Sequence, residues 1–526
     1  MAMLTGLLET PYFTPGVCIA LLVILISSVW DDLSTEVPPQ RSAARWEELV
    51  ESIQQEGKGA MVPVCTYVDH GGGQSVFQVM TPSHPTIILH PKYIDEVKAH
   101  PDLHFLEAIR KNFFANRVPG FEGFHAGGGS EKGDRILVDA VRVNLTQALG
   151  SLTTPLMKET ALTLDEHFPP TKEWTPYIFA RELPYAVGRI STLIFLGERA
   201  ARNKEWVNVA VNYTIDAFDA ARALRMWPAI MRPLVHHFLP YMNKVRAHLK
   251  VGRAIVQEEI ERRAAIREGR LPAEETPHTH SDSLDWFTNL ATRYGEPYDL
   301  MTGQMGLSLA AIHTTSNLLT NVVYDLAAHP EYFQPLREEI KAVLEEDGKL
   351  KKTSLLKLKL LDSILKESQR MHPVNLTSLI RIASKKITLS DGNIIPKGAI
   401  TAISAHVVNE DESIYPNAAT YDGYRFLKKR QQPGHEHRHQ LVTTTAESFG
   451  FGHGVHACPG RFFASNESKI VLLQLLLKYD WKFQDGVTRP KNLEFATESV
   501  PDPTLAVLFR AREPEVDLGR FYDLGV

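Results

Sequence analysis

The feature that most constrains this chain is the stretch FGFGHGVHACPGRFFA at residues 449–464, which has Cys458 near its centre. Gly454 and Gly460 lack a Cβ and let backbone amides approach the sulfur closely. Pro459 suits the first position of a helix, which the apolar-patterned run FFASNESKIVLLQLLLKYDW predicts. A helix N-terminus stabilises a thiolate. The stretch therefore predicts a metal-bound or reactive thiolate, and the alternative is a buried structural cysteine.

Four residues carry a family resemblance: Phe451, Gly454, Cys458 and Gly460 match, at their spacing, the haem-binding signature of the cytochromes P450. The sequence resembles that family over nearly its whole length, and in particular fungal secondary-metabolism members of the microsomal type, such as ent-kaurene oxidase and the gibberellin-pathway enzymes. The resemblance implies a cytochrome P450 fold, mainly α with small β-sheets, and a haem b iron whose axial ligand is the Cys458 thiolate. His456 stands where most members carry arginine, and the resemblance implies that its imidazole meets a haem propionate.

Composition and motif spacing indicate one large catalytic domain. The chain has 526 residues, a net charge of −5, 44% hydrophobic and 23% charged residues, which is ordinary for a globular protein and points to no nucleic-acid partner. The motifs are spread from the second quarter of the chain to the last and have to converge on one site, so we expect one domain over residues 46–526. Three cysteines, Cys18, Cys65 and Cys458, cannot form a disulfide framework, which implies a reducing compartment.

Residues 10–30 contain no charged side chain and are about long enough to span a bilayer as a helix. We expect a short lumenal N-terminus at 1–9, this anchor, and a stiff linker with two prolines at 31–45. A cleaved signal peptide is the competing interpretation, but no Lys or Arg precedes the span. The first basic residues, Arg41 and Arg45, follow it, so the sequence predicts a single-pass protein of the endoplasmic reticulum membrane with a cytosolic catalytic domain.

A long helix is predicted from Asp299 to Ala328, with AAIHTT at its centre. Small residues in mid-helix let a flat cofactor lie close, and a threonine hydroxyl can present itself to a ligand. In the family the matching segment crosses one face of the haem. The resemblance implies that Ala310 lies against the haem and that Thr314 bonds dioxygen and helps deliver protons. His313 replaces the usual acidic residue, so proton delivery through its imidazole or through water is expected.

A helix predicted at 353–371 carries Glu367 and Arg370, which lie three apart and share a face. Alone, this is a commonplace surface pair of little energetic value. The resemblance implies that it joins Arg425, in YDGYRF, in a structural network that fixes the cysteine loop.

Two further arginines are implied to contact the haem propionates. Arg142 lies in a helix predicted at 134–149, where the family usually has a tryptophan four residues earlier and this chain has Val138. Arg381 lies at the matching place in the segment VNLTSLIRIASKKITLSDGNIIPKGAI. The competing interpretation of Arg142 is a surface arginine.

Strand patterns occur in three places. Short β-branched runs at 61–94 predict a small sheet with a hairpin, and the alternating segment after residue 374 predicts paired strands with Asp391-Gly392 as the turn. The final SVPDPTLAVLFRAR predicts a strand pair. By the resemblance, the aromatic segment 105–124 roofs the substrate pocket and residues 374–379 line it.

The segment KKRQQPGHEHRH at 428–439 invites a zinc interpretation through His435, His437 and His439. No second cluster completes such a site. We instead expect an exposed basic loop that an acidic redox partner can approach.

These observations predict a membrane-anchored haem-thiolate monooxygenase that oxidises a small apolar substrate with O2. Because no flavin or nicotinamide fingerprint is evident, electrons are expected from NADPH through a separate NADPH-cytochrome P450 reductase, with cytochrome b5 as a second candidate donor. A terpenoid or indole-diterpenoid intermediate is favoured, and a polyketide or alkaloid is the alternative. A haem-thiolate isomerase or dehydratase, and a haem-binding sensor, are the rival functions.

Overall fold

Helices dominate the part of the chain that the computed structural model describes, which comprises residues 76–81, 84–115, 117–124, 130–272, 281–495 and 497–516. The α-helices in chain order are α1 (Ile94–Val97), α2 (Phe105–Asn112), α3 (Glu131–Asp139), α4 (Thr146–His167), α5 (Phe179–Leu196), α6 (Glu198–Ala201), α7 (Lys204–Arg225), α8 (Arg232–Val235), α9 (Pro240–Arg267), α10 (Ser283–Tyr294), α11 (Leu300–Ala328), α12 (Phe333–Asp347), α13 (Lys352–Lys357), α14 (Lys359–Met371), α15 (Ala405–Asn409), α16 (Arg425–Arg430) and α17 (Arg461–Lys478). The strands are β1 (Val76–Met80), β2 (Pro85–Leu89), β3 (Leu103–His104), β4 (Thr175–Tyr177), β5 (Thr377–Ala383), β6 (Ile387–Thr388), β7 (Ile394–Ile395), β8 (Ile400–Ser404), β9 (Tyr479–Lys482), β10 (Leu493–Phe495), β11 (Glu498–Val500) and β12 (Val507–Ala511). The predicted class, mainly α with small sheets, is confirmed.

The predicted anchor at 10–30 and the linker at 31–45 lie outside the described residues, as do Cys18 and Cys65. In the ranges given above, no helix combines the length and apolarity needed to cross a bilayer.

The strands form small sheets that flank the helices. The largest has the order β1-β2-β8-β5-β3, in which β2 and β8 run parallel and the other neighbours antiparallel. The predicted hairpin within 61–94 is confirmed for its described part by β1 and β2. The predicted turn at Asp391-Gly392 is also confirmed, because β6 pairs with β7 across it and Gly392 has a φ of 88°.

Helix α11 passes through the interior. The Asp299 side chain caps it by accepting a hydrogen bond from the Met301 N–H at 3.2 Å, and the helix ends where Pro330 follows His329. Most of its residues are buried, and it packs against α5, α7 and α14. Its predicted bounds, Asp299 to Ala328, therefore agree with the structure to within one residue.

The helix after the cysteine is shorter than predicted. Gly460 caps α17, so Pro459 lies one residue before the cap rather than at the first helical position. The predicted run extended to Trp481, but 479–482 is strand β9, which pairs with β12. The Trp481 ring stacks on Phe509 of β12 at 5.4 Å between ring centroids. This long-range pairing overrides the local helical pattern.

Three other predicted elements differ from the structure. The helix predicted at 134–149 is α3, a π-helical turn at Ala140–Leu145, and the start of α4. The helix predicted at 353–371 is divided into α13 and α14 at Leu358, which has non-helical backbone angles. The final segment supplies strands to two sheets: β11 pairs with β10, and β12 pairs with β4 and β9. The predicted pairing within that segment is therefore wrong.

A buried carboxyl in α17 makes stability depend on pH. Glu467 is fully buried, accepts one hydrogen bond from Ser191 Oγ at 2.7 Å, and has no partner for Oε2 among the described residues. Burial raises its pKa from 4.5 to about 8. The native state therefore holds a proton that the unfolded chain releases, and stability falls as pH rises between these values.

Glu467→Gln is expected to remove that fall, which is on the order of 4 kcal/mol by linkage between about pH 5 and pH 8. Denaturant unfolding of both proteins at several pH values in this range measures it. Glu346→Gln, which changes a side chain 65% exposed, is the matched control and should leave the pH dependence unchanged. A wild-type stability equal at both ends of the range would contradict the assignment.

Candidate active site

Cys458 lies in a tight loop whose glycines are required by space and backbone angle. The Cys458 N–H donates to the Phe451 carbonyl at 2.8 Å, and a 3-10 turn at Gly454–His456 precedes the cysteine. Gly454 has a φ of 77°, and a Cβ there would lie 2.6 Å from the Lys98 carbonyl oxygen. No other residue fits at that position without moving backbone. The Phe451 to Gly460 stretch therefore holds one conformation against α1.

The Cys458 sulfur needs a cationic partner to be a thiolate. Burial raises the pKa of the thiol, and hydrogen bonds from the Gly460 and Arg461 backbone N–H groups oppose that effect only in part. The Arg461 guanidinium donates to the Cys458 carbonyl at 2.9 Å, not to the sulfur. These backbone N–H groups at the start of α17 and the Arg461 charge lower the pKa of the thiol, as the sequence argument from the helix N-terminus expects, while burial raises it. An iron ion at the sulfur is the kind of partner that this arrangement fits.

Helix α11 lies beside the cysteine loop. A Cβ on Gly306 of α11 would lie 3.4 Å from Leu137 Cδ2, and a Cβ on Gly460 would lie 3.5 Å from Val141 Cγ1. Leu137 and Val141 are one helical turn apart, so one short helical stretch touches both α11 and the cysteine loop. The first third of α11 and the cysteine loop therefore pack on the same short helical stretch, and α11 also packs against α17, the helix that follows the cysteine.

Ala310 and Thr314 are exposed in the middle of this otherwise buried helix. They lie four apart and share one face, which a flat group can approach. The Thr314 Oγ1 donates to the Ala310 carbonyl at 2.7 Å, so its lone pairs remain available to accept a hydrogen bond. This face fits a planar cofactor with a small substrate or oxygen beside it.

His313 points elsewhere. Its Nε2 donates to the Val211 carbonyl of α7 at 2.9 Å, which requires the N–H on that nitrogen. Burial lowers the pKa of the imidazole below its usual value, so the ring is neutral at pH 7. Successive helical residues point about 100° apart, so the ring does not share the face of Thr314. The His313 ring therefore lies against α7 rather than beside Thr314, and proton delivery through this imidazole or through water stays a prediction.

Arg381 is a buried cation with no acidic partner among the described residues. Its side chain on β5 donates to the Ile380 carbonyl at 2.8 Å, and its Nε has no partner. Burial lowers the pKa of the guanidinium to about 10, and the group lies over the Phe105 ring at 5.6 Å. A buried, uncompensated guanidinium suits an anion such as a propionate carboxylate.

His456 shares Phe105 with Arg381. The His456 and Phe105 ring centroids are 5.7 Å apart, and burial together with Arg381 lowers the pKa of the imidazole to about 4. The structure thus brings Arg381, Phe105 and His456 together next to Cys458. The residues fit a haem with a thiolate on one side and carboxylates near Arg381. Sequence reasoning named Phe105 only as part of an aromatic segment, and its sole signal was that aromatic content.

Arg142 does not join this group. Its side chain is 63% exposed and pairs with Asp139 at 2.7 Å. The preceding residue, Val141, faces the cysteine loop, and adjacent residues of a helical turn point in different directions. The structure supports the competing interpretation, a surface arginine, over a propionate contact.

The three residues of the predicted network meet in the interior. Glu367 is fully buried and pairs with Arg370 at 2.8 Å and with Arg425 at 3.0 Å. The two guanidinium groups also donate to four backbone carbonyls, that of Asn409 at the end of α15 and those of Pro416, Asn417 and Thr420 between α15 and α16. Glu367 further accepts the Asp422 N–H at 3.2 Å. Gly423 has no room for a Cβ, because that atom would lie 2.8 Å from the Tyr332 ring.

The segment 428–439 is exposed over most of its length, at residues 428, 431–434 and 436–438, as the predicted basic loop requires, but its first part forms the end of α16. Arg430 is buried against Asp362, and the Lys429 ammonium lies over the Tyr415 ring at 4.5 Å, while Lys428 is exposed. His439 and His435 are 3.4 Å apart at their ring nitrogens. The described ranges contain no group of three or more His, Cys, Asp or Glu side chains able to hold a metal.

Comparison with known proteins identifies the family. A model of the cytochrome P450 family matches residues 41–509. Cytochrome P450 monooxygenase TRI1 of Fusarium sporotrichioides is 40% identical over 81% of this chain and 76% of its own length. Cytochrome P450 monooxygenase 1 of Gibberella fujikuroi is 38% identical over 84% and 98%, and monooxygenase calE of Penicillium decumbens is 38% identical over 85% and 84%. The chain belongs to the cytochrome P450 family.

It is accordingly an enzyme, a cytochrome P450 monooxygenase. The family's cofactor is a haem whose iron is held by a cysteine thiolate. The chain's described free cysteine is Cys458.

Proposed function

We propose that this enzyme hydroxylates or otherwise oxidises a small apolar secondary-metabolite intermediate. The observations that carry the proposal are the partly buried Cys458 in its glycine-constrained loop and the exposed Ala310 and Thr314 on one face of α11, a helix that packs against α17. Fungal sources of the similar monooxygenases support the assignment to secondary metabolism. A terpenoid or indole-diterpenoid skeleton is favoured, and a polyketide or alkaloid is the alternative.

The bound haem supplies the oxygen activation that amino-acid side chains cannot perform. The residues of this chain would hold and orient the haem. Cys458 would hold the iron, and Arg381 and the neutral His456 would bind the propionate carboxylates, while Gly460 keeps backbone N–H groups close to the sulfur.

Thr314 holds a proton on the substrate side of the site. Rotation of the Thr314 hydroxyl can replace the hydrogen bond to the Ala310 carbonyl by one to a ligand. The free-energy cost is small, because the hydroxyl can form either bond. Thr314→Ala is therefore expected to leave NADPH and oxygen consumption largely intact while product per oxygen consumed falls several-fold. Product and oxygen are measured together in a reductase-supported assay.

Thr320→Ala is the matched control for Thr314→Ala. Thr320 makes the same back-bond in the same helix, to the Ser316 carbonyl at 2.8 Å, but it is buried. Coupling should stay at the wild-type level in this control, and Thr314→Ser should restore most of it. Unchanged coupling in Thr314→Ala would count against the proton-holding role.

We also propose a single-pass endoplasmic reticulum protein with its catalytic domain in the cytosol. The charge-free stretch at residues 10–30 supports an anchor. Large exposed apolar side chains on the segment around α8 support a second contact with the bilayer, and these are Met226, Trp227, Ile230, Leu234, Phe238 and Tyr241. Electrons then come from NADPH through a membrane-bound reductase, with cytochrome b5 as an accessory donor.

The test is reconstitution of the full chain with NADPH, a cytochrome P450 reductase and a panel of apolar terpenoid, indole-diterpenoid and polyketide substrates under labelled O2. Incorporation of one labelled oxygen atom per product, dependent on NADPH, is the expected result. Product formation without NADPH would indicate the isomerase or dehydratase. Haem binding with no turnover of any class would favour the sensor.

A further inference from the structure

One buried carboxylate holds both flanks of the cysteine-bearing segment. Asp362 on α14 is 3% exposed. Its Oδ2 accepts the Leu441 N–H at 2.9 Å, and its Oδ1 pairs with the Lys469 ammonium at 2.6 Å. Leu441 precedes the cysteine loop in the chain, and Lys469 follows it on α17. Asp362 therefore ties the entry and the exit of that segment to one point on α14.

Lys366, one turn further along α14, strengthens the same contact. Its ammonium is buried and donates to the Gln440 carbonyl at 2.7 Å and to the Thr443 carbonyl at 3.0 Å. Side chains of α14 thus bind backbone groups on both sides of Leu441. Side chains of α14 therefore form the hydrogen bonds to the backbone of the segment that leads into the cysteine loop. In a β-sheet, a neighbouring strand would form such bonds.

The charge balance around Asp362 makes it hard to replace. Arg430 approaches it at 3.4 Å, so two buried cations, Lys469 and Arg430, face this carboxylate, and the Lys366 amine, whose pKa burial lowers to about 7, lies one turn away. Lys469 also donates to the Leu355 carbonyl at 3.0 Å, which fixes its ammonium. Removal of the single negative charge would leave these cations facing one another in a water-poor interior.

We propose that Asp362 is a positioning residue for Cys458, which holds the sulfur in place by anchoring both ends of the segment from Leu441 to Lys469. It acts through the backbone and touches neither cofactor nor substrate. The Glu367 network on the same helix anchors a different segment, between Asn409 and Arg425. This inference rests on the proposed function of Cys458 as the thiolate ligand.

The test compares Asp362→Asn with Glu259→Gln in the haem-loaded full chain. Glu259 on α9 is the matched control, because it is also a buried acid with two cationic partners, Arg262 and Arg263. Three readouts are recorded for each variant: the ratio of thiolate-type to thiol-type Soret band in the reduced, carbon-monoxide-bound state, the iron reduction potential, and the thermal midpoint. Asp362→Asn is expected to raise the thiol-type fraction several-fold and to shift the potential. Glu259→Gln should lower the thermal midpoint by a similar amount, while its Soret band ratio and iron reduction potential stay at the wild-type values.

Lys366→Met supplies an independent variant, since it removes two hydrogen bonds without leaving an unpaired acid. It should change the spectrum in the same direction by a smaller amount, even if Asp362→Asn fails to fold. In the haem-free proteins, alkylation of Cys458, followed by peptide mapping, should be faster in both α14 variants than in wild type. Equal spectral change in Glu259→Gln and the α14 variants would overturn the proposal. A wild type without a thiolate-type band would instead overturn the function of Cys458 itself.

Discussion

Replacing Cys458 by serine is expected to abolish both the thiolate-type spectrum and monooxygenase turnover. A serine hydroxyl does not ionise near neutral pH, so it cannot supply the anionic sulfur that favours O–O cleavage. The fold should survive, because the side chain is nearly isosteric and the loop is held by backbone contacts. The Cys458 N–H donates to the Phe451 carbonyl, and the Arg461 guanidinium donates to the Cys458 carbonyl.

The measurement is the reduced, carbon-monoxide-bound absorption spectrum of wild type beside Cys458→Ser, followed by turnover with a reductase. Cys65→Ser makes the same chemical change outside the glycine-rich stretch and should retain the wild-type spectrum and activity. A thiolate-type band in Cys458→Ser would rule out this cysteine as the ligand. A well-folded wild type without haem would return Cys458 to the role of a structural cysteine.

The cysteine loop could be predicted because its constraints are local. Gly454 has a positive φ, which a residue without a Cβ adopts at little cost, and that residue type can be read from the sequence. Helix α11 was equally accessible, since Asp299 caps it and a proline follows its end. In both cases neighbours within one or two turns decide the conformation.

The parts of the structure that differ from the sequence-based prediction depend on residues far away in the chain. Strand β9 carries a helical pattern, yet pairing with β12 and the stacking of Trp481 on Phe509 decide its conformation. The direction of the His313 ring depends on the Val211 carbonyl of α7, which is about a hundred residues away in the chain. A motif places a residue in the chain, but its side-chain direction follows from tertiary packing.

The role of Asp362 and Lys366 could not be predicted from the sequence for a related reason. In LLDSILKESQR they occur at a spacing of four, as a solvent-exposed pair would, and nothing local shows that their partners are backbone groups of residues 440–443. The available signal is that eight of the thirteen residues of α14 are polar, although the helix is buried nearly all round. Such a helix must bind other segments through its side chains.

Replacing Glu367 by glutamine is expected to produce the largest loss of folding stability among the substitutions considered. Glu367 is fully buried and accepts from Arg370, Arg425 and the Asp422 N–H. The amide keeps the shape but removes the charge and turns one acceptor into a donor that faces a guanidinium. Removal of one partner from a buried ion pair costs about 3–5 kcal/mol, a large share of the roughly 5–15 kcal/mol that holds a domain folded.

Denaturant unfolding and the yield of haem-loaded protein measure this effect. Glu346→Gln is the surface counterpart, because Glu346 pairs with Lys357 at 2.6 Å while 65% exposed, and a pair of that kind is worth about 1 kcal/mol at most. Near-equal losses in the two variants would show that the buried network contributes little.

A double replacement separates the network's charge from its shape. Glu367→Gln leaves two guanidinium groups without a counter-charge, and Arg425→Met leaves the acid with Arg370 alone. If unpaired buried charge causes the loss, the double variant should be less destabilised than the sum of the single variants, since each change relieves part of the imbalance that the other creates. Arg425 also donates to carbonyls of the preceding segment, so the double variant should remain less stable than wild type. Strict additivity would instead assign the loss to those backbone contacts and to packing.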